Sequence, residues 1–99
     1  MAQFDVHRLA NRRRLVLDCQ TDLLDHIDSR FVVPLIPREN APPPARRLNP
    51  VFEIEGAEHV MLTQSAAAIP RRELGEKVAS LADRDHEIIN ALDFLLTGV

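Results

Sequence analysis

Residues 14–20 read Arg-Leu-Val-Leu-Asp-Cys-Gln, and their side chains alternate between an apolar and a more polar set. The apolar set occupies every second position, at Leu15, Leu17 and Cys19. A period of two residues is typical of a β-strand that packs one face on a core. The sequence therefore predicts a strand here and a sheet around it.

Neighbouring stretches extend this sheet on both sides. Apolar residues alternate less regularly from Phe4 to Leu9, and the polar residues 10–13 predict the loop of a hairpin. Residues 30–36 form an apolar, β-branched run that predicts a third strand. Because proline cannot donate to a strand ladder, Pro34 and Pro37 predict that this strand ends near an edge of the sheet.

The second half of the chain contains a loop, a hairpin and one helix. Residues 37–50 hold five of the seven prolines and predict an exposed loop. Residues 51–54 and 60–63 predict two strands around a turn at 55–58, where Gly56 tolerates positive φ. Residues 66–70 match no pattern, and residues 72–78 allow a short extended piece.

An amphipathic pattern predicts a helix from about Asp83 to Leu96. Ser80 and Asp83 are alternative N-caps, and Gly98 lies where a helix end favours a left-handed residue. Four or five strands followed by a terminal helix predict a mainly β, α+β fold, built on a small antiparallel sheet or partial barrel.

Composition limits the class of protein. The 99 residues predict one domain, 1–99, and 45% hydrophobic with 27% charged residues predict a globular chain. No apolar run approaches membrane length, and the N-terminus has no secretory leader pattern, so we expect a cytoplasmic protein without membrane contact. The net charge of −3 disfavours direct nucleic-acid binding. The charge is uneven, at +2 over residues 1–50 and −5 over residues 51–99, counting Lys and Arg against Asp and Glu.

Few residues offer catalytic chemistry. The four histidines have no metal-ligand spacing, the three glycines form no phosphate loop, and we predict no metal and no cofactor. Cys19 is either a nucleophile or, more consistently with its apolar face, an inert core thiol. His26, Asp28 and Arg30 could support phosphodiester cleavage or could simply be solvated residues of a bend.

The chain ends on Leu95-Leu96-Thr97-Gly98-Val99, which is more apolar than the frayed last turn of most helices. Core packing, a dimer seam and an anchor for a partner protein all explain this ending.

Eight short motifs, in order along nearly the whole chain, resemble the CcdB toxins of toxin–antitoxin modules. The first half carries Gln3-Phe4-x-Val6, Arg14-Leu15-x-x-Asp18-x-Gln20-x-Asp22-Leu23-Leu24-Asp25 and Arg30-x-Val32-x-Pro34-Leu35. The second half carries Leu48-x-Pro50-Val51-x-x-Ile54, Met61-x-Thr63, Ile69-Pro70, Gly75-Glu76-x-Val78-Ala79-x-Leu81 and Asn90-Ala91 separated by six residues from Gly98-Val99.

This resemblance implies an SH3-like partial barrel of the CcdB, MazF and Kid kind, assembled as a homodimer. It implies a toxin that is not an enzyme, which binds the A subunit of DNA gyrase and traps gyrase on cleaved DNA. It further implies a CcdA-like antitoxin, through which alone the toxin would reach operator DNA.

The resemblance also implies two binding surfaces. The gyrase surface comprises Leu23, Leu24, Asp93, Leu96, Thr97, Gly98 and Val99. The arginine clusters predict the antitoxin surface, at Arg12, Arg13, Arg14, Arg46 and Arg47, because guanidinium groups suit an acidic tail. The best-known family members have tryptophan at the position of Thr97 and asparagine at that of Asp93.

Two alternatives remain open at this point. Because the fold is shared with the MazF and Kid toxins, the protein could be an endoribonuclease. It could also be a chromosomal relic that binds its antitoxin without poisoning gyrase.

Overall fold

Residues 15–18, within the alternating stretch 14–20, form an inner strand of the sheet. The computed structural model describes residues 2–11 and 13–98. Its strands and helix are β1 (Asp5–Leu9), β2 (Leu15–Asp18), β3 (Ser29–Pro37), β4 (Val51–Ile54), β5 (Ala57–Met61), β6 (Ala67–Pro70), β7 (Leu74–Ser80) and α1 (Asp85–Thr97). The strand order is β4-β5-β3-β2-β1-β7, with β6 paired to β3, and all pairs are antiparallel. The predicted α+β fold, a half-barrel with a C-terminal helix, is confirmed.

Strand β3 is a central strand, so the prediction of an edge at its prolines is wrong. Its first half pairs with β6 up to Val32, and its second half pairs with β5 from Leu35. Pro34 lies where the partner changes, and its carbonyl accepts a hydrogen bond from the Leu62 amide at 3.0 Å. Because no partner strand faces the missing N–H at this junction, proline is tolerated inside the sheet.

The β4–β5 hairpin confirms the predicted turn and shortens it to two residues. Glu55 and Gly56 have φ values of 54° and 79°, and Ile54 pairs directly with Ala57. Two successive residues with positive φ make the type I′ turn that matches the twist of paired strands. Strand β5 therefore starts three residues before the predicted Val60.

The stretches that matched no clear pattern form β6 and β7. Strand β6 contains Ala67 and Ala68, which have little strand propensity, and it is held by pairing with β3. Strand β7 pairs with β1, and a Cβ on Gly75 would lie only 2.5 Å from the Arg8 carbonyl oxygen. Long-range pairing thus creates both strands.

Helix α1 begins two residues later than predicted and lacks the predicted caps. Ser80 Oγ accepts from the Ala82 amide and so supports the 3₁₀ turn Ala82–Arg84, which precedes the helix. Arg84 is the N-cap residue, without a side-chain cap. At the other end, Gly98 adopts φ 73° and its N–H donates to the Phe94 carbonyl, which confirms the predicted left-handed ending.

The core lies between the sheet and α1. Ile88 and Ala91 of the helix are fully buried, and they pack with the apolar face of β1 and β2, including Val6 and Leu17. Burial of such side chains is the main stabilising contribution to a domain of this size. In the described part of the chain, no helix has the length and apolarity to cross a bilayer.

Candidate partner-binding surfaces

The first candidate surface is the 3₁₀ turn Asp22–Leu24, which follows β2. Thr21 caps this turn by accepting a hydrogen bond from the Leu23 amide at 3.3 Å. Asp22 Oδ1 accepts another from the Gln3 amide at 2.8 Å, which fixes the turn to the N-terminal segment. The cap leaves the Leu23 side chain 85% exposed and that of Leu24 42% exposed.

Two further apolar residues lie beside this turn and were not predicted. Ile27 and Phe31 are 39% and 37% exposed. Gln20 connects the turn to β3, because its Nε2 donates to the Leu24 carbonyl and its Oε1 accepts from the Phe31 amide, at 3.1 and 3.0 Å. Leu23, Leu24, Ile27 and Phe31 are called the turn patch below. The sequence did not single out Phe31, because it lies in a continuous apolar run. Only strand pairing shows which members of that run face outward.

The second candidate surface is the end of α1. Asp93, Leu96, Thr97 and Gly98 are all exposed, with Leu96 at 78%. Thr97 Oγ1 donates to the Asp93 carbonyl at 2.7 Å, so the hydroxyl is satisfied within the helix. Val99, the remaining predicted member, lies outside the described residues.

These two predicted parts of the gyrase surface do not form one contact within the described chain. Helix α1 packs chiefly on the 3₁₀ turns Thr63–Ser65 and Ala82–Arg84, and the Asp22–Leu24 turn is not among its main neighbours. The turn and the helix end are thus two exposed apolar areas of the chain, and packing of α1 does not join them.

A groove of about 770 Å³ holds part of the predicted antitoxin surface. Arg13 and Arg14 line one part of it, and neither makes an ion pair with any residue at 2–11 or 13–98. Arg12 lies outside the described residues. The apolar lining comes from Leu15, Leu35, Ile36, Pro37, Pro42 and Leu62. The groove thus combines free guanidinium groups with apolar walls.

Arg8 also lines this groove and was not predicted. Its guanidinium binds Glu55 at 3.0 Å and Glu76 at 3.4 Å, and the hydrogen bond with Glu55 is the main reason that its pKa is raised. The positive charge of Arg8 is therefore already compensated, whereas those of Arg13 and Arg14 are available to a partner.

The other predicted arginines lie elsewhere. Arg47 stands over the ring of Phe94 on α1, 5.0 Å from its centroid, and adopts a positive φ of 68°. Arg46 is exposed and makes no ion pair within the described ranges. Neither residue lines the groove, so the structure brings only Arg13 and Arg14 of the predicted antitoxin set together there, while Arg47 lies against α1.

The catalytic alternatives do not assemble. The Arg30 guanidinium is fully buried and donates two hydrogen bonds to Asp18 Oδ2, at 3.1 and 2.6 Å, so it cannot hold a phosphate beside the exposed His26 and Asp28. Burial, with a smaller contribution from the Asp18 charge, raises the pKa of the Cys19 thiol to about 12. Cys19 is thus an inert core residue, and its nucleophilic alternative is wrong. Three metal-binding side chains do not come together anywhere in the part of the chain that is described.

Comparison with known proteins identifies relatives of this fold and sequence. A family model described as "CcdB protein" matches residues 3–98. Among solved structures, the Mycobacterium tuberculosis toxin MazF-mt6 superposes with a TM-score of 0.78 at 15% sequence identity, over 93% of this chain and 95% of that chain. At this identity the structural likeness shows the fold alone, while the family model matches nearly the whole sequence.

Proposed function

The chain belongs to the CcdB family, and from this premise we propose that it is the toxin of a type II toxin–antitoxin module, which binds the A subunit of DNA gyrase. The observation that carries the proposal is the end of α1. Leu96 is 78% exposed and Gly98 closes the helix two residues later, so an apolar anchor projects at the end of a rigid element. An exposed apolar area of this kind is typical of a protein-binding surface.

The proposed mechanism is poisoning by binding. The toxin binds gyrase in the state in which the DNA is cleaved more tightly than in the resealed state, and its binding shifts the population toward cleaved DNA. Gyrase itself makes the strand breaks. This mechanism needs no catalytic residue in the toxin, and its strength depends only on the difference between the two affinities.

The toxin would act as a homodimer. A two-fold toxin presents two copies of the turn patch and two helix ends, which matches the two-fold symmetry of a gyrase A dimer. Symmetry also offers a way to bring the turn patch of one subunit near the helix end of the other, since the Asp22–Leu24 turn is not among the main neighbours of α1 within one chain.

The side chains of Thr97 and Asp93 affect which residues at the end of α1 would contact gyrase. The Thr97 hydroxyl is bonded to the Asp93 carbonyl, and its small side chain offers little contact area. We expect Leu96 therefore to provide more of the apolar contact at the helix end than Thr97 does. We expect the backbone to approach gyrase closely at Gly98, because glycine has no side chain to separate the two proteins.

A CcdA-like antitoxin would neutralise the toxin through an acidic, flexible tail. Arg13 and Arg14 in the groove suit its carboxylates, while the apolar walls suit its apolar side chains. Arg12, Arg46 and Arg47 are the further proposed contacts. The toxin would reach operator DNA only through this antitoxin, and both proteins would meet gyrase in the cytoplasm.

A gyrase cleavage assay tests the proposal. Supercoiled plasmid, ATP and gyrase are incubated with the intact protein or with a version lacking Thr97, Gly98 and Val99. We expect linear DNA after protein denaturation only with the intact toxin. Circular dichroism and sedimentation of both versions show whether each is folded and dimeric.

Two other outcomes would favour the alternatives. A folded dimer that produces no linear DNA and still binds its antitoxin would favour a relic. Cleavage of RNA by the purified protein, in a preparation free of contaminating nuclease, would favour a ribonuclease and contradict the proposed mechanism.

A further inference from the structure

Three exposed carboxylates lie in the same stretch of chain as the turn patch. Asp22, Asp25 and Asp28 are exposed, and none of them forms an ion pair with a residue in the described ranges. Arg71 contacts this turn, but its guanidinium donates to the Ile27 carbonyl at 3.1 Å rather than to a carboxylate. The turn patch is therefore accompanied by neighbouring carboxylates, and Asp25 and Asp28 are called the acidic rim below.

Phe31 is the largest side chain in that centre. Its neighbours Arg30 and Val32 are buried, at 0% and 3% exposure, so the alternation of β3 directs Phe31 to the opposite, open side. Its partner across the sheet is Ala68 of β6, which is itself exposed and is too small to cover an aromatic ring. The ring thus retains a free surface on an ordered strand.

The surrounding hydrogen bonds hold the patch in one arrangement. Gln20 bonds to both Leu24 and Phe31, and the Asp28 carbonyl accepts from the Arg71 amide at 2.8 Å. The turn is thereby fixed to β3 on one side and to the end of β6 on the other. Because the patch is already held in one arrangement, a partner that binds here causes little loss of conformational entropy, which favours affinity.

We propose that Phe31 is the aromatic anchor of the gyrase-binding surface, and that Asp25 and Asp28 pair with basic side chains around an apolar pocket of the gyrase A subunit. This inference rests on the proposed function, and it adds residues and a charge pattern to it. Aromatic side chains at the centre of a contact, with a polar rim around them, are the usual binding hot spots.

The charge pattern selects this occupant over two others. In a two-fold contact of the patch with a second copy of itself, the same carboxylates would face each other and repel. An acidic antitoxin tail would meet the same repulsion, and the groove with Arg13 and Arg14 suits it better. A protein that handles DNA presents basic surfaces, which complement the acidic rim.

The first experiment measures binding of the purified gyrase A subunit to immobilised toxin. Phe31→Ala should weaken binding at least about tenfold, because it removes a central aromatic contact. The matched control is Ile89→Ala, which removes an apolar side chain of similar exposure, 41%, from the first half of α1. It should leave the affinity unchanged. Phe31→Leu, which keeps an apolar side chain on β3, should fall between the two and guards against a folding defect.

The second experiment tests the acidic rim. Asp25→Asn/Asp28→Asn should slow association with the gyrase A subunit about threefold or more and reduce the salt dependence of that rate. Glu39→Gln/Glu53→Gln changes the net charge equally at two exposed residues elsewhere and should have a smaller effect.

The outcomes separate this inference from the proposed function. If the wild-type toxin binds gyrase and Leu96→Ala weakens binding while Phe31→Ala does not, the anchor is wrong and the proposed function stands. Equal effects of the two double variants would contradict the acidic rim. A wild-type dimer that does not bind the gyrase A subunit would contradict both proposals.

Discussion

Asp18 and Arg30 form an ion pair that is completely withdrawn from solvent, with both side chains at 0% exposure. Asp18 Oδ2 accepts from two guanidinium nitrogens, and Oδ1 accepts from the Gln20 amide. Two ions without water are stable only when their hydrogen bonds are nearly complete, and Arg30 Nη1 is already without a partner. At the scale of the residue, this pair joins β2 to β3, and Asp18 also holds the amide of Gln20, whose side chain bonds to two residues of the turn patch.

Removing the charge of Asp18 should therefore destabilise the fold strongly. Asp18→Asn leaves the Arg30 cation buried without a counter-ion, and we expect a loss of about 3–5 kcal/mol in the free energy of unfolding. The control Glu58→Gln breaks the exposed pair with Arg38 and should cost less than about 1 kcal/mol. Urea unfolding measures both, and equal losses would contradict this account.

Cys19 should report on folding through its raised pKa. In the folded protein the pKa of the Cys19 thiol is about 12, whereas in the unfolded chain the thiol has its ordinary pKa of 9.0. The unfolded state thus releases the proton first, so stability is intact below about pH 9 and falls above it by up to about 1.4 kcal/mol per pH unit. Cys19→Ala should flatten this decline between about pH 9 and pH 12 in urea unfolding. Rapid reaction of the native thiol with a disulfide reagent near neutral pH would contradict its burial.

At the scale of the element, the most constrained piece is the β4–β5 turn. Glu55 and Gly56 both have positive φ, and the Glu55 side chain also binds Arg8 across the groove. The same two residues thus close the hairpin and compensate the charge of one groove arginine. Helix α1 ends in a similar way, since only a left-handed residue at Gly98 allows its amide to bond back to Phe94.

Gly56→Ala should destabilise the hairpin. Residues with a Cβ disfavour the left-handed region by about 1–2 kcal/mol, and no neighbour lies within 4 Å to add a clash or a contact. We therefore expect a loss of about 1 kcal/mol in thermal or urea unfolding. Glu55→Asn is the control, because Asn-Gly is the preferred pair for this turn, and the exposed ion pair with Arg8 that it removes should cost less than about 1 kcal/mol. A stable Gly56→Ala protein together with an unstable Glu55→Asn protein would contradict the type I′ assignment.

At the scale of the whole molecule, charge is divided between surfaces. The groove presents Arg13 and Arg14 without counter-ions, whereas the turn patch and the helix end present carboxylates beside apolar side chains. The proposed antitoxin tail and the proposed gyrase partner would therefore recognise areas of opposite sign. Arg47, stacked on Phe94 of α1, would bring one proposed antitoxin contact close to the proposed gyrase surface at the helix end.

Antitoxin binding should depend on the groove arginines and on salt. Arg14→Gln should weaken binding of the proposed CcdA-like antitoxin about fivefold or more, because a charge-assisted hydrogen bond is lost. Arg72→Gln removes an equally exposed charge outside the groove and should have little effect. Calorimetry at increasing ionic strength should show a progressive loss of affinity. An affinity that is insensitive to salt would contradict the assignment.

Local patterns alone were enough for several features of this chain. Alternation at residues 14–20 predicted β2, Gly56 predicted the hairpin turn, and Gly98 predicted the helix end. Each of these depends on side-chain periodicity or on backbone sterics within a few residues, which a sequence states directly. The exposed leucines of both proposed gyrase areas were likewise within reach of the sequence, through the family resemblance.

Other features exist only because distant segments meet. Pro34 lies in a central strand since β5 and β6 share β3, and the alanines of β6 become a strand by pairing with it. The groove unites Arg8 with Arg13 and Arg14 across a hairpin, and Gln20 unites Leu24 with Phe31. Such contacts follow from the register between strands that are far apart in sequence, which no local pattern specifies, so the tertiary structure alone decides which side chains form a surface.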